Sequence, residues 1–177
     1  MSVRTLVAIT ACIAAAAWSC SGGGDGRSVT LDEYLREVEQ VNATSEARIS
    51  AAGQGVQDLG PDTPFEELRD AFEGVYREFS AIADDARKDL DALKPPAEVE
   101  DQHGEMLAGL EELETAFDGI REQVRDATTP GDLGKVVEAA SQSAEAESAQ
   151  NRVAAACAAL QATADANAIE VDLNCGG

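Results

Sequence analysis

The segment Leu93-Lys94-Pro95-Pro96-Ala97-Glu98 constrains the fold of this chain more than any other. Two consecutive prolines cannot sit inside a helix, because each lacks an N–H and its ring clashes with the preceding turn. Proline also drives the residue before it out of the α region, so Lys94 and Pro95 are expected to be extended. Pro96 can open a new helix, where its missing donor costs nothing. Strong helical patterns flank the segment on both sides. The spacing therefore predicts an αα-hairpin, one helix ending near Leu93 and the next starting at Pro96 or Ala97.

Before the hairpin, Thr63-Pro64-Phe65-Glu66 reads as a helix start, with Thr63 capping and Glu66 reaching back. Its apolar face is a heptad: Phe65, Phe72, Phe79, Ala86 and Leu93 at one position, Leu68, Val75 and Ile82 at the other. After the hairpin, Val99, Met106, Leu113, Ile120 and Ala127 alternate with His103, Leu110, Phe117 and Val124. Two sustained heptads joined by a short turn are expected to pack antiparallel at a shallow angle. Folding them about Lys94–Pro96 brings His103 level with Asp89 and Leu90. Asp89 and His103 both interrupt an apolar stripe, so they are expected to pair as a structural polar couple.

Two outer segments pack around this hairpin. In the first, Thr30-Leu31-Asp32-Glu33 forms a capping box, and Leu31, Tyr34, Leu35, Val38, Val41, Ser45 and Ile49 follow at helical steps. Gly53 and Gly55 are expected to end it. Thr128-Thr129-Pro130-Gly131 closes the third helix. The fourth segment opens on Leu133, Val136 and Val137 and ends on Val153, Cys157 and Leu160, with no large apolar side chain between Val137 and Val153. Its high helix propensity keeps it helical. The small-residue stretch is expected to allow close backbone approach or to lie exposed. A sharper alternative is a polar notch for a ligand, formed by Ser141, Ser148 and Asn151. Beyond Asn167, expected as a left-handed cap, Ile169, Val171 and Leu173 alternate with polar residues as an extended tail.

Asp+Glu number 34 against Lys+Arg 13, a formal net charge of -21. That balance repels nucleic acid and anionic lipid surfaces alike. The N-terminus carries a different signal. Arg4 precedes an apolar run from Leu6 to Ala17, too short to span a bilayer but suited to a secretory signal over residues 1–19. The run ends at Ala17-Trp18-Ser19-Cys20 and a glycine-rich stretch, leaving residues 20–29 as tether and 30–177 as a helical domain. The signal resembles that of bacterial lipoproteins, in which such a cysteine becomes residue one and carries diacylglycerol. An ordinary signal peptidase could cut the same bond. Cys12 leaves with the signal, so Cys20, Cys157 and Cys175 remain. If Cys20 is acylated, the other two form one even pair, and in an oxidising compartment they are expected to form a disulfide pinning the tail to the fourth helix. Two acyl chains anchor a protein stably, where a single chain is marginal.

The tethered Cys20, the central Leu93-Lys94-Pro95-Pro96 followed by His103, and the terminal Cys157, Leu160 and Val171-Asp172-Leu173-Asn174-Cys175-Gly176 together resemble a group of uncharacterised helical-bundle lipoproteins of high-GC Gram-positive bacteria. The resemblance implies a helical bundle outside the membrane. It brings no activity and no functional residues.

Other constellations carry little chemistry. Glu100-Asp101-Gln102-His103 has the spacing of a di-iron motif, but that site needs two such motifs and His103 is the only histidine. Covalent haem would need Cys-x-x-Cys-His, which is absent from the sequence. His103 and Met106 lie on one helix and cannot ligate opposite faces of a haem. The carboxylates of Glu98, Asp101 and Glu105, and of Glu111, Glu112 and Glu114, read as solvated faces. The sequence thus predicts an all-α, up-down antiparallel bundle of three to four helices with a disulfide-pinned tail. It is expected to bind no cofactor, metal or nucleic acid, and to touch the membrane through its lipid alone. The expected function is that of a non-enzymatic interaction or accessory protein on the outer face of the cell membrane, with an envelope protein as its possible partner. The alternative is a lipoprotein that binds a solute or cation in the notch.

Overall fold

The computed structural model describes residues 27–175 apart from 58 and 61. The signal segment, Cys20 and residues 21–26 lie outside the described residues. The body is an all-α bundle built from α1 (Leu31–Gln57), α2 (Phe65–Asp91), α3 (Glu100–Asp126), a short α4 (Pro130–Ala140) and α5 (Ala144–Ala166). A two-residue strand β1 (Arg27–Ser28) pairs in parallel with β2 (Leu93–Lys94). None of the described helices is long and apolar enough to cross a membrane.

The prolines act as the sequence demands. Leu93 and Lys94 are extended, Pro96 (φ -60°, ψ 149°) caps a single 3₁₀ turn over Ala97–Val99, and α3 follows. α2 and α3 form the central antiparallel hairpin, with α1 against α2 and α5 against α3. The main core gathers Tyr34, Leu35 and Val38 of α1 with Leu90, Met106, Leu160 and Leu173 at the hairpin end. A second, smaller core lies at the other end, where Leu133 of α4 covers Ile120, Val124 and Ala127. Residues 27–29, expected on the tether, belong to the body: Arg27 N–H donates to the Ala92 carbonyl at 3.0 Å, and Val29 packs on the main core.

Local details differ from expectation for physical reasons. α1 runs through Gly53 and Gly55 to Gln57. Glycine weakens a helix interior by about 1 kcal/mol but, unlike proline, does not break its hydrogen bonds. The cap of α2 is Pro64, and no side chain caps it, so Thr63 does not play that part. The fourth segment is two helices: Thr129 caps α4 by accepting from Asp132 N–H, the chain breaks at residues 141–143, and Ser143 caps α5 by accepting from Ala146 N–H. At the end of α5 the left-handed residue is Ala168 (φ 54°), one beyond Asn167. Ile169 N–H reaches the Ala164 carbonyl and Ala168 N–H that of Asp165, a Schellman closure that turns the tail back along α5.

Candidate functional site

The fourth segment's lack of bulky side chains has two structural outcomes, one on each side of α5. Toward α3, Ala146, Ala149 and Ala156 are buried and the backbones come close. A Cβ placed on Gly109 of α3 would lie 2.6 Å from Val153 Cγ2 and 3.3 Å from the Ala149 carbonyl oxygen. Arg152 fastens this seam through Glu105 (3.1 Å) and Glu112 (2.6 Å). Toward α1, by contrast, the two helices barely touch. Asn42, Ser45 and Glu46 of α1 face Gln150, Asn151 and Ala154 of α5 across a cleft of about 460 Å³. Helices pack roughly 8–10 Å apart when side chains fill the space between them, and these residues are too short or too polar to do so. The floor is apolar: Phe79, Ile82 and Ala83 from α2, with Met106, Leu110 and Phe117 from α3.

The C-terminal tail seals one end of the cleft between α1 and α5. Cys157 and Cys175 form the expected disulfide, with Cα atoms 5.4 Å apart. Leu173 is fully buried, while Ile169 and Val171 pack on the main core, as the alternation predicts. The tail's polar groups are satisfied by both flanking helices. From α5, Gln161 donates to the Val171 carbonyl (3.2 Å) and accepts from Leu173 N–H (2.9 Å). From α1, Asn42 donates to the Leu173 carbonyl (2.8 Å), and Glu39 accepts from Asp172 N–H (2.9 Å). Asn174 donates to Glu46 (2.6 Å). The tail is a strap that ties α5 to α1, its exposed backbone paired by side chains where no neighbouring strand serves. Sequence reasoning missed Asn42, whose signal was a polar residue four positions after Val38 on the apolar side of α1.

His103 is buried, 8% exposed, but its partner is not Asp89. The Tyr34 hydroxyl lies 3.1 Å from His103 Nδ1, and the rings meet edge to face with centroids 5.7 Å apart. Asp89 is exposed. The heptad level was right, since Leu90 is buried beside this site, but the neighbouring position points outward and α1 lies across the gap instead. Burial pushes the imidazole below its ordinary pKa, against the opposing field of Asp91 and Glu100. Burial likewise raises the Tyr34 phenol above its ordinary range. A neutral imidazole accepting from Tyr34 satisfies both groups.

Ser141, Ser148 and Asn151 do not form one notch. The Ser141 hydroxyl donates to the Glu138 carbonyl at the break between α4 and α5. Ser148 lines an open groove between α3 and the α4–α5 break, with Glu111, Thr115 and Glu145, whereas Asn151 lies on the rim of the apolar cleft. Among the described residues no three His, Cys, Asp or Glu side chains converge as a metal site. Comparisons with protein-family models, with curated proteins and with solved structures give no match.

Proposed function

We propose that this protein is an extracytoplasmic lipoprotein, acylated at Cys20, whose helical body works without catalysis as an interaction or accessory protein of the cell envelope. The observation that carries this reading is the Cys157–Cys175 disulfide. Structural disulfides belong to oxidising compartments, which agrees with a secretory signal over residues 1–19. With that pair joined and Cys12 removed with the signal, Cys20 is the cysteine left over. An exposed free thiol beside a glycine-rich stretch would be a liability there, and acylation removes it.

Because β1 is paired with β2, the tether leaves the body beside the Pro95–Pro96 hairpin. The six residues 21–26 reach at most roughly 20 Å when fully extended. The hairpin end therefore faces the membrane, and the second core with α4 points outward toward a partner. A net charge of -21 keeps the body from lying on anionic headgroups.

The Cys20→Ala variant tests the anchor. It should be exported and recovered in the soluble fraction, with a mass lacking diacylglycerol. A variant that loses its signal yet stays with the membrane would overturn the reading. Native mass spectrometry of protein from its own host then separates an envelope partner, seen as a co-purifying protein, from a bound solute.

A further inference from the structure

We propose that the cleft between α1 and α5 is a binding site for a small uncharged amphiphile: an apolar body carrying a hydroxyl, ester or amide at one end. The proposal does not rest on acylation of Cys20.

Size, lining and rim each narrow the occupant. The cleft's volume of about 460 Å³ falls within the range of small-molecule sites, roughly 300–1,000 Å³. Its floor is made of Phe79, Ile82, Leu110 and Phe117, with the core residue Met106 beneath. Water held over such a floor is released when an apolar body replaces it. No Lys or Arg lines the cleft among the described residues, and its one charged rim group is Glu46. An anionic head would meet a carboxylate and no cation. The exposed side-chain amides of Gln150 and Asn151 stand at the rim, and they offer both donors and acceptors to a neutral head. The strap and its disulfide hold one end of the cleft, so part of the site exists before a ligand enters.

The test uses the exported full chain carrying Cys20→Ser, which has no acyl chain of its own to enter the cleft. If Cys20 is not acylated, this substitution changes nothing and the binding readout stands. The probe is the uncharged dye N-phenyl-1-naphthylamine, whose fluorescence should rise on binding. Monodecanoylglycerol should displace it at concentrations at least tenfold lower than decanoate does at neutral pH. Ala154→Leu and Ser45→Leu put bulk into the cleft and should each weaken dye binding at least tenfold while leaving the helical circular dichroism unchanged. Glu46→Lys should narrow the gap between the two displacers. If both bulky variants fail to fold, that change in selectivity decides. Absence of dye binding, equal binding by folded bulky variants, or equal displacement by decanoate would each overturn the proposal. So would sedimentation showing a dimer that excludes the dye, which would give the cleft to a second copy.

Discussion

The two flanks of α5 are made of similar residues and behave in opposite ways. Against α3, alanines meet Gly109 and the backbones close to van der Waals distance. Against α1, Gln150, Asn151 and Ala154 meet Asn42, Ser45 and Glu46 over a floor of phenylalanines, and a hollow remains. Small side chains allow helices to approach only where the facing surface is also small and nothing large lies beneath. Where bulky floor residues hold the helices apart, the same smallness leaves space. The strap from Ile169 to Cys175 supplies at one end of the open flank the contact that helix packing does not.

The sharpest way to break this contrast is to release the strap. Replacing Cys157 and Cys175 together by Ala opens a loop of sequence separation 18 and should cost about 3 kcal/mol, mostly by freeing the unfolded chain. Urea denaturation measures the loss, and hydrogen exchange at Leu173 N–H reports on the strap itself. Faster exchange there, with Gly109 and its neighbours still protected, is the expected result. Unchanged protection at Leu173 would mean that Asn42, Glu39 and Gln161 hold the tail without the disulfide.

The closed flank is tested by Gly109→Ala. The new methyl would meet Val153 and the Ala149 carbonyl, and overpacking of this kind costs about 1–3 kcal/mol. The gain in helix propensity returns about 1 kcal/mol, so a net loss of up to about 2 kcal/mol is expected. Val153→Ala removes the tightest neighbour and should recover part of that loss in a double-mutant cycle. Additive effects would show that the two helices relax apart easily, and that the contrast between the flanks is smaller than the geometry suggests.

At the hairpin end α1 does close onto α3, through Tyr34 and His103. Tyr34→Phe leaves His103 Nδ1 without its donor and should cost about 1 kcal/mol. The pH dependence has a definite sign. Burial lowers the folded-state pKa of His103 below 6.5, so the unfolded chain binds the proton more readily. The contribution is complete above about 6.5 and is lost as pH falls from there through the folded value. His103→Leu should therefore reduce the drop in Tm between pH 7.5 and 5.5. An unchanged drop would assign that slope to carboxylates instead.

Much of this architecture was legible because it rests on strong local rules. The double proline sets the hairpin, the heptads set its buried faces, and the period-two tail together with the cysteine count gives the strap. What was not legible depends on a third element or on phase. Heptads place His103 at the level of Leu90, but they do not say that Tyr34 of α1 lies across it. The break at residues 141–143 parts Ser141 from Ser148 and Asn151, and those two line different hollows, the open groove toward α3 and the cleft toward α1. In an alanine-rich helix every face looks alike, so the sequence carries little information on which face closes and which opens. The cleft was invisible for that reason.

Gly119 offers the smallest and most discriminating measurement. It sits in the interior of α3, the helix that carries Gly109, yet nothing lies within 4 Å of a Cβ built there. It lines the open groove between α3 and the α4–α5 break, where α4 leans on the second core. Gly119→Ala removes backbone freedom from the unfolded chain without meeting a neighbour, so it should stabilise the protein by about 0.5–1 kcal/mol. The same substitution ten residues apart on one helix is thus expected to act in opposite directions. Urea midpoints of the two variants, measured side by side, check this. A loss at Gly119 would mean that α3 and α4 approach in solution as closely as α3 and α5 do, and the groove beside them would then be closed.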